Sequence, residues 1–260
     1  MAAVVPDILA RIVEQKRAAL ARLKPRQAEL ERLAAARPLA RDFRAALLAQ
    51  PPAIIAEVKK ASPSKGIFTE DFHPAAIART YAEGGAAALS VLTDEEFFRG
   101  SLADLEAART AVSIPVLRKD FTIHDLHVVE AAAHGADAIL LISAILTVAE
   151  MRRFRELAER LHMAALVEVH DAEELGPALD SGASIVGVNN RNLHTFDVSL
   201  ETSERLAQRI PEGVVRVAES GIFSSADIAR LGVAGFSAFL VGEHLMKSGD
   251  AAGAIRALRS

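Results

Sequence analysis

Cysteine is absent from all 260 residues. That excludes disulfides, thiolate nucleophiles and cysteine-ligated metal centres, and it removes the usual mark of an oxidising compartment. A basic excess is missing as well: 30 Lys and Arg stand against 34 Asp and Glu, for a net charge of -4. The chain as a whole therefore lacks the cationic face of a nucleic-acid binder, and any anionic ligand must be met locally. No apolar run reaches membrane-spanning length, since the longest uncharged one, AILLISAIL from Ala138, is about half of what a membrane helix needs. Near the start, Asp7 and Arg11 interrupt the only apolar stretch, so no signal peptide is expected. Also missing are a Gly-x-Gly-x-x-Gly turn, a Ser-His-Asp set in a recognisable context, and low-complexity tracts. These absences predict a soluble, cytoplasmic protein that binds neither membrane nor nucleic acid.

What is present is a quiet repeat. GAAALSVL from Gly85, GADAILLI from Gly135, GASIVGVN from Gly182 and GFSAFLVG from Gly235 share one pattern: a Gly able to cap a helix, small residues, then an apolar run of strand length. Between them lie AIIAEV (53–58), IPVLRKD (114–120), AALVEV (164–169) and VVRVAE (214–219). Helical periodicity separates the runs, as in 125–134, 148–161 and 200–210. Eight strand–helix units with nearly all-apolar strands predict an α/β fold, a (β/α)8 TIM barrel. Residues 1–50 read as a helical N-terminal extension, Pro51-Pro52 marks the join, and 51–260 form the barrel, all within a single domain, 1–260.

In such a barrel the chemistry sits where the strands end. Strand one ends in Glu57 and Lys59, strand three in Lys119, strand five in Glu168, strand six in Asn189 and Arg191, strand seven in Glu219 and Ser220, and strand eight in Gly242. Side chains two apart share a face, so Glu57 and Lys59 project together, as do Asn189 and Arg191. Burying an ion costs several kcal/mol unless it is paired, so charges gathered at five strand ends argue for a site rather than for stability. After strand seven, Ser220-Gly221 precedes a helix capped by Ser224, with Asp227 completing a capping box. Gly242 precedes a further short helical turn, and glycines before helix starts in the last two loops predict a phosphate site. His124, His127 and Glu130 could share a helical face, but the segment reads as an ordinary amphipathic helix, so packing or solvated histidines are expected and no metal site.

Taken together, IIAEVKKASPSKG, LSVLTDEEFFRGS, PVLRKDF, LVEVHD, GVNNRNL, VAESGI and LVGEHLM resemble the indole-3-glycerol phosphate synthase family of tryptophan biosynthesis over nearly the whole chain. The resemblance implies a small-molecule substrate, an anthranilate joined through nitrogen to a deoxyribulose phosphate, that loses carbon dioxide and water. It makes Lys119 the general acid at the ketone oxygen and Glu168 the group that stabilises positive charge and helps remove a proton. Glu57 and Lys59 become the pair serving dehydration, while Asn189 and Ser220 orient the reacting groups. It places Arg191 and Ser62 near the anthranilate carboxylate, and Phe98 and Phe121 against the aromatic ring. Phosphate falls on Ser220, Gly221, Gly242 and the backbone N–H of Glu243, whose carboxylate should turn away. The N-terminal helices should cover the mouth, and the 59–72 loop should close on substrate. The chemistry implies no cofactor, only positioned acids and bases, and the expected form is a monomer. Lys60 and Lys65 read as solvated, and Asn190 is assigned no chemistry. Two other readings remain open: a different phosphosugar enzyme on the same barrel, either an isomerase or an aldolase using Lys119 as a Schiff base, and a phosphosugar-binding barrel without turnover.

Overall fold

Among the described residues, eight parallel strands form a closed barrel, each inside a run expected from the sequence. They are β1 (Ala53–Val58), β2 (Ala88–Leu92), β3 (Val116–Lys119), β4 (Ala138–Ile142), β5 (Ala164–Val169), β6 (Ile185–Asn189), β7 (Val215–Glu219) and β8 (Ala238–Val241). Closure comes from β1, which pairs with β8 through Ala53↔Ala238 and with β2 through Ile55↔Ala88. The computed structural model describes residues 7–63 and 65–260; residues 1–6 of the expected extension and Ser64 of the 59–72 loop lie outside the described residues.

The helices follow the strands: α1 (Asp7–Leu23), α2 (Gln27–Ala36) and α3 (Phe43–Ala49) in the extension, then α4 (Pro74–Glu83), α5 (Glu95–Phe98), α6 (Leu102–Ala111), α7 (Asp125–Ala133), α8 (Val148–Arg160), α9 (Ala172–Asp180), α10 (Glu201–Ala207), α11 (Ser225–Val233), α12 (Glu243–Lys247) and α13 (Ala251–Leu258). Their starts carry readable caps. The expected box at α11 is formed, with Ser224 accepting from the Asp227 N–H and Asp227 reaching back, and Thr147 with Glu150 does the same at α8. The four repeat glycines each take a left-handed φ, between 85° and 97°, where a helix hands over to a strand. One helix escaped the sequence reading: α5, a single turn capped by Asp94 and ended by left-handed Arg99. Another is shorter than expected, since α10 stops at Ala207 ahead of Pro211.

The pleat explains how one sequence builds both core and mouth. Along β1, Ile54, Ala56 and Val58 pack outward into the helix layer, whereas Ala53 and Ile55 pack inside the barrel. Glu57 continues the inner series at the C-terminal edge. In the same way Leu117 leads to Lys119, Leu166 to Glu168, Ile185 to Asn189, and Val217 to Glu219. The interior is thus a packed aliphatic plug that turns polar in its last layer.

The extension serves two places rather than one. Leu9 and Ile12 of α1 are buried at the mouth, worth roughly 1.5–3 kcal/mol each. Phe43 and Leu47 of α3 instead join the interior cluster with Ala53 and Val215 at the start of β1 and β7. The middle helix, α2, lies against α7. Only α1 fulfils the expectation that the extension covers the mouth. No helix among the described residues is long and apolar enough to cross a membrane.

Candidate active site at the barrel mouth

A cavity of about 210 Å3 opens at the C-terminal ends of the strands, and every site residue singled out from the sequence lines it. At its centre is the Lys119 ammonium. Nζ donates to Glu168 Oε2 at 2.8 Å and lies 3.5 Å from Glu219 Oε2. Burial alone would lower the lysine's pKa, but the charges of Glu168, Glu219 and Glu57 outweigh it and hold Lys119 above its usual range, protonated. Burial likewise opposes ionisation of Glu168, yet Lys119 and His170 hold it well below the usual carboxylate range.

Glu219 is the counterpart. It is 2% exposed, and burial together with repulsion from Glu168 pushes its pKa up to about 8. Three carboxylates around one mouth cannot all ionise freely, so two charge states coexist among chemically identical groups. Its position at the end of strand seven was visible in the sequence, but nothing in the pattern marked it as more than a neighbour of Ser220.

Also lining the cavity, Lys59 Nζ makes a short ion pair with Glu57 Oε2 and lies 5.4 Å from the centre of the Phe68 ring. Phe68, from the 59–72 loop, went unmarked in the sequence reading. That loop carries a short antiparallel ribbon, Ala61–Ser62 with Gly66–Ile67, which brings Ser62 to the cavity. Lys65 is solvated as expected, 46% exposed, and it also lines the rim of the cavity 3.7 Å from Glu243. The Glu243 carboxylate also accepts from Lys247, one turn along α12, at 2.6 Å.

Asn189 ties other lining residues together. Its Nδ2 donates to Glu168 Oε1 (3.2 Å), while its Oδ1 accepts from Ser220 Oγ (2.9 Å) and from the Arg191 N–H (3.0 Å). Ser220 adopts a left-handed φ of 66° and Gly221 follows at 78°, a conformation that for serine persists only when its surroundings impose it. The imposing residue is Asn190, 2% exposed. Its Nδ2 donates to the Ser220 carbonyl at 3.1 Å, and its Oδ1 accepts from the Ser203 N–H and Oγ. Sequence reasoning gave Asn190 no part, and its role is invisible without the fold.

Phe98 and Phe121 face each other with centroids 6.1 Å apart. Behind them a buried ionic network braces the mouth. Lys16 of α1 contacts Asp94 (2.9 Å) and Asp120 (2.6 Å), and Asp120 Oδ2 accepts from Thr93 and Arg118, which also pairs with Glu130. His127 accepts from the Ile123 N–H, and His124 caps α7. Both histidines are packing residues, as expected, and among the described residues no cluster suited to a metal ion occurs.

Known proteins resemble this chain over nearly its whole length. The family model described as indole-3-glycerol phosphate synthase matches residues 9–258. A protein of that name from Aromatoleum aromaticum is 51% identical over 97% of this chain and 98% of its own. Another from Albidiferax ferrireducens is 52% identical over 94% of this chain and 95% of its own. Among solved structures, thiamine phosphate pyrophosphorylase from Pyrococcus furiosus overlays with a TM-score of 0.60 at 17% identity, covering 80% of this chain and 93% of that one. That last likeness concerns the barrel fold alone.

Proposed function

The chain belongs to the indole-3-glycerol phosphate synthase family, and from that premise we propose how its own residues close the indole ring. The reaction takes 1-(2-carboxyphenylamino)-1-deoxyribulose 5-phosphate to indole-3-glycerol phosphate with loss of carbon dioxide and water, a carboxy-lyase reaction. The observation that carries the residue assignment is the Lys119 ammonium held against Glu168 and Glu219 at the centre of the cavity.

The ring carbon that bears the carboxylate attacks the ketone carbon, and the ketone oxygen becomes an alkoxide. A developing alkoxide is far more basic than a carboxylate, so the proton that the carboxylates retain on Lys119 passes to it. Carbon dioxide then leaves and returns its electron pair to the ring. Glu168, ionised and 3% exposed, stabilises the positive charge on the anilino nitrogen until that pair returns, and in the dehydration it assists removal of the one proton the substrate loses. Dehydration follows, with Lys59 protonating the departing hydroxyl and Glu57 taking the proton. Their pairing supports a joint role.

Ser220, Gly221, Gly242 and the Glu243 N–H receive the phosphate, and Arg191 with Ser62 lies toward the anthranilate carboxylate. Phe98 and Phe121, with Leu9 and Ile12 of α1, wall the ring and exclude water. The lack of cysteine supports a cytoplasmic location.

The test is turnover of that substrate followed by indole fluorescence. The chain has no Trp and one Tyr, so product emission stands on a dark background. Wild type should give a rise that Lys119→Ala abolishes. Borohydride inactivation in the presence of substrate, without indole emission, would instead favour the Schiff-base aldolase.

A further inference from the structure

The residue after β5, His170, continues the inner series beyond Glu168, because positions two apart share a strand face. It does not line the cavity at the mouth. It lines a second cavity, of about 560 Å3, that shares Asn189 and Leu193 with the first. The His170 side chain, 9% exposed, spans two carboxylates: Nε2 lies 3.2 Å from Glu168 Oε1 and Nδ1 lies 3.0 Å from Glu174 Oε2. Glu174 Oε2 also accepts the His170 backbone N–H at 2.9 Å, so one carboxylate fixes both the ring and its backbone. Glu174 is itself placed by Asp171, which caps α9 through the Glu173 and Glu174 N–H groups.

The geometry points to His170 as a positioning residue for Glu168: a ring held by Glu174 that steadies the reacting carboxylate, turned toward Lys119, from the second cavity rather than from the mouth. The inference rests on the role given to Glu168 above. Nε2 makes no aligned hydrogen bond, so the ring acts on Glu168 as a nearby charge and leaves Oε1 to accept from Asn189. The His170–Glu174 pair carries no net charge, so it biases Glu168 without altering the charge balance of the mouth. Burial would drive the imidazole neutral, but Glu168 and Glu174 outweigh it and raise its pKa to about 10. The remaining charged groups around the second cavity are Asp171, Glu173, His194, Asp197 and Arg205, an acidic surplus that favours the same form. Lys119 lies behind Glu168.

The test combines kinetics with a measurement that needs no turnover. His170→Asn should lower kcat roughly tenfold, less than the 10²–10⁴ expected for a group that transfers the proton itself, with KM changed less than about threefold. The acid limb of the kcat profile should move to higher pH as Glu168 loses its cation. Glu174→Gln, which leaves the ring in place, should give a smaller shift of the same sign. In resting wild-type protein, 15N NMR of labelled histidine should show His170 doubly protonated at pH 8. A His170 that titrates near 6.5, or a His170→Asn enzyme whose acid limb does not move, overturns the inference. Wild-type protein that forms no indole product would refute the reading of the site and leave the NMR result standing on its own.

Discussion

Glu219 Oε2 sits 3.5 Å from the Lys119 ammonium while the other oxygen, Oε1, has no hydrogen-bond partner. A buried carboxylate that is half-satisfied beside a cation already taken by Glu168 is held as the acid at neutral pH. The folded pKa, about 8, lies above the unfolded value near ~4.3. Between those values the folded state binds the extra proton, so the contribution to stability is full below about pH 4 and is lost as pH rises through 8. The thermal unfolding midpoint should therefore fall between about pH 4 and 8, with the Glu219 share levelling off above pH 8, and Glu219→Gln, always neutral, should flatten that fall. An unchanged slope in the variant would place the titrating group elsewhere. His170 contributes in the same direction but up to about pH 10, so the two are separable by midpoint.

Asn190 should matter without touching substrate. Its side chain joins the Ser220 carbonyl to Ser203 of α10, and Asn190→Ala would strand these buried groups at roughly 1–3 kcal/mol each. Expected are a lower unfolding midpoint, a raised KM as Ser220 leaves its left-handed conformation, and partial retention of kcat. A variant with wild-type KM would show that Ser220 holds its place unaided.

Lys16 ties α1 to the loops after β2 and β3. Replacing it with Met keeps the aliphatic stem but leaves Asp94 without its cation, while Asp120 keeps Arg118. Breaking a buried pair in this way costs about 3 kcal/mol. Since α1 also supplies Leu9 and Ile12 to the cavity wall, Lys16→Met should raise KM along with the stability loss. Denaturant unfolding and steady-state kinetics on one preparation check both.

The barrel was legible because its signals are local. An apolar run of strand length, a glycine that caps a helix and a Ser-x-x-Asp box are each written in a few consecutive residues, and the pleat alone sends Glu57, Lys119, Glu168 and Asn189 to one mouth. Residues whose roles depend on what the fold brings beside them were not legible. Asn190 and Ser203 are thirteen positions apart, Lys16 and Asp120 about a hundred, and no pattern in the chain pairs them. Glu219 and Glu168 look alike in sequence as well; their opposite pKa directions arise from which of them lies closer to Lys119 and His170. Lys65 reads as solvated and is, but its place on the rim cannot be told along the chain.

Two glycines should respond oppositely to alanine, and the contrast separates site from scaffold. At Gly242 a Cβ would overlap the Glu57 carboxylate, with Glu57 Cδ at 2.9 Å and Cβ at 3.1 Å. The severe overlap is with the carboxyl end of a side chain that can rotate, and the Cβ contact asks only for a shift of a few tenths of an ångström, but rotation would break the pair with Lys59. At Gly100 the collision is with the carbonyl of Leu92 at the end of β2, which is backbone and cannot swing aside. Gly242→Ala should therefore keep its unfolding midpoint within a few degrees while losing turnover by tenfold or more, on the order expected for a displaced acid–base pair. Gly100→Ala should lose about 1–3 kcal/mol of stability with a smaller effect on kcat in the folded fraction. If Gly242→Ala turns over normally, Glu57 does not act in the rate-limiting chemistry, and the dehydration assigned to it must fall to another group at the mouth.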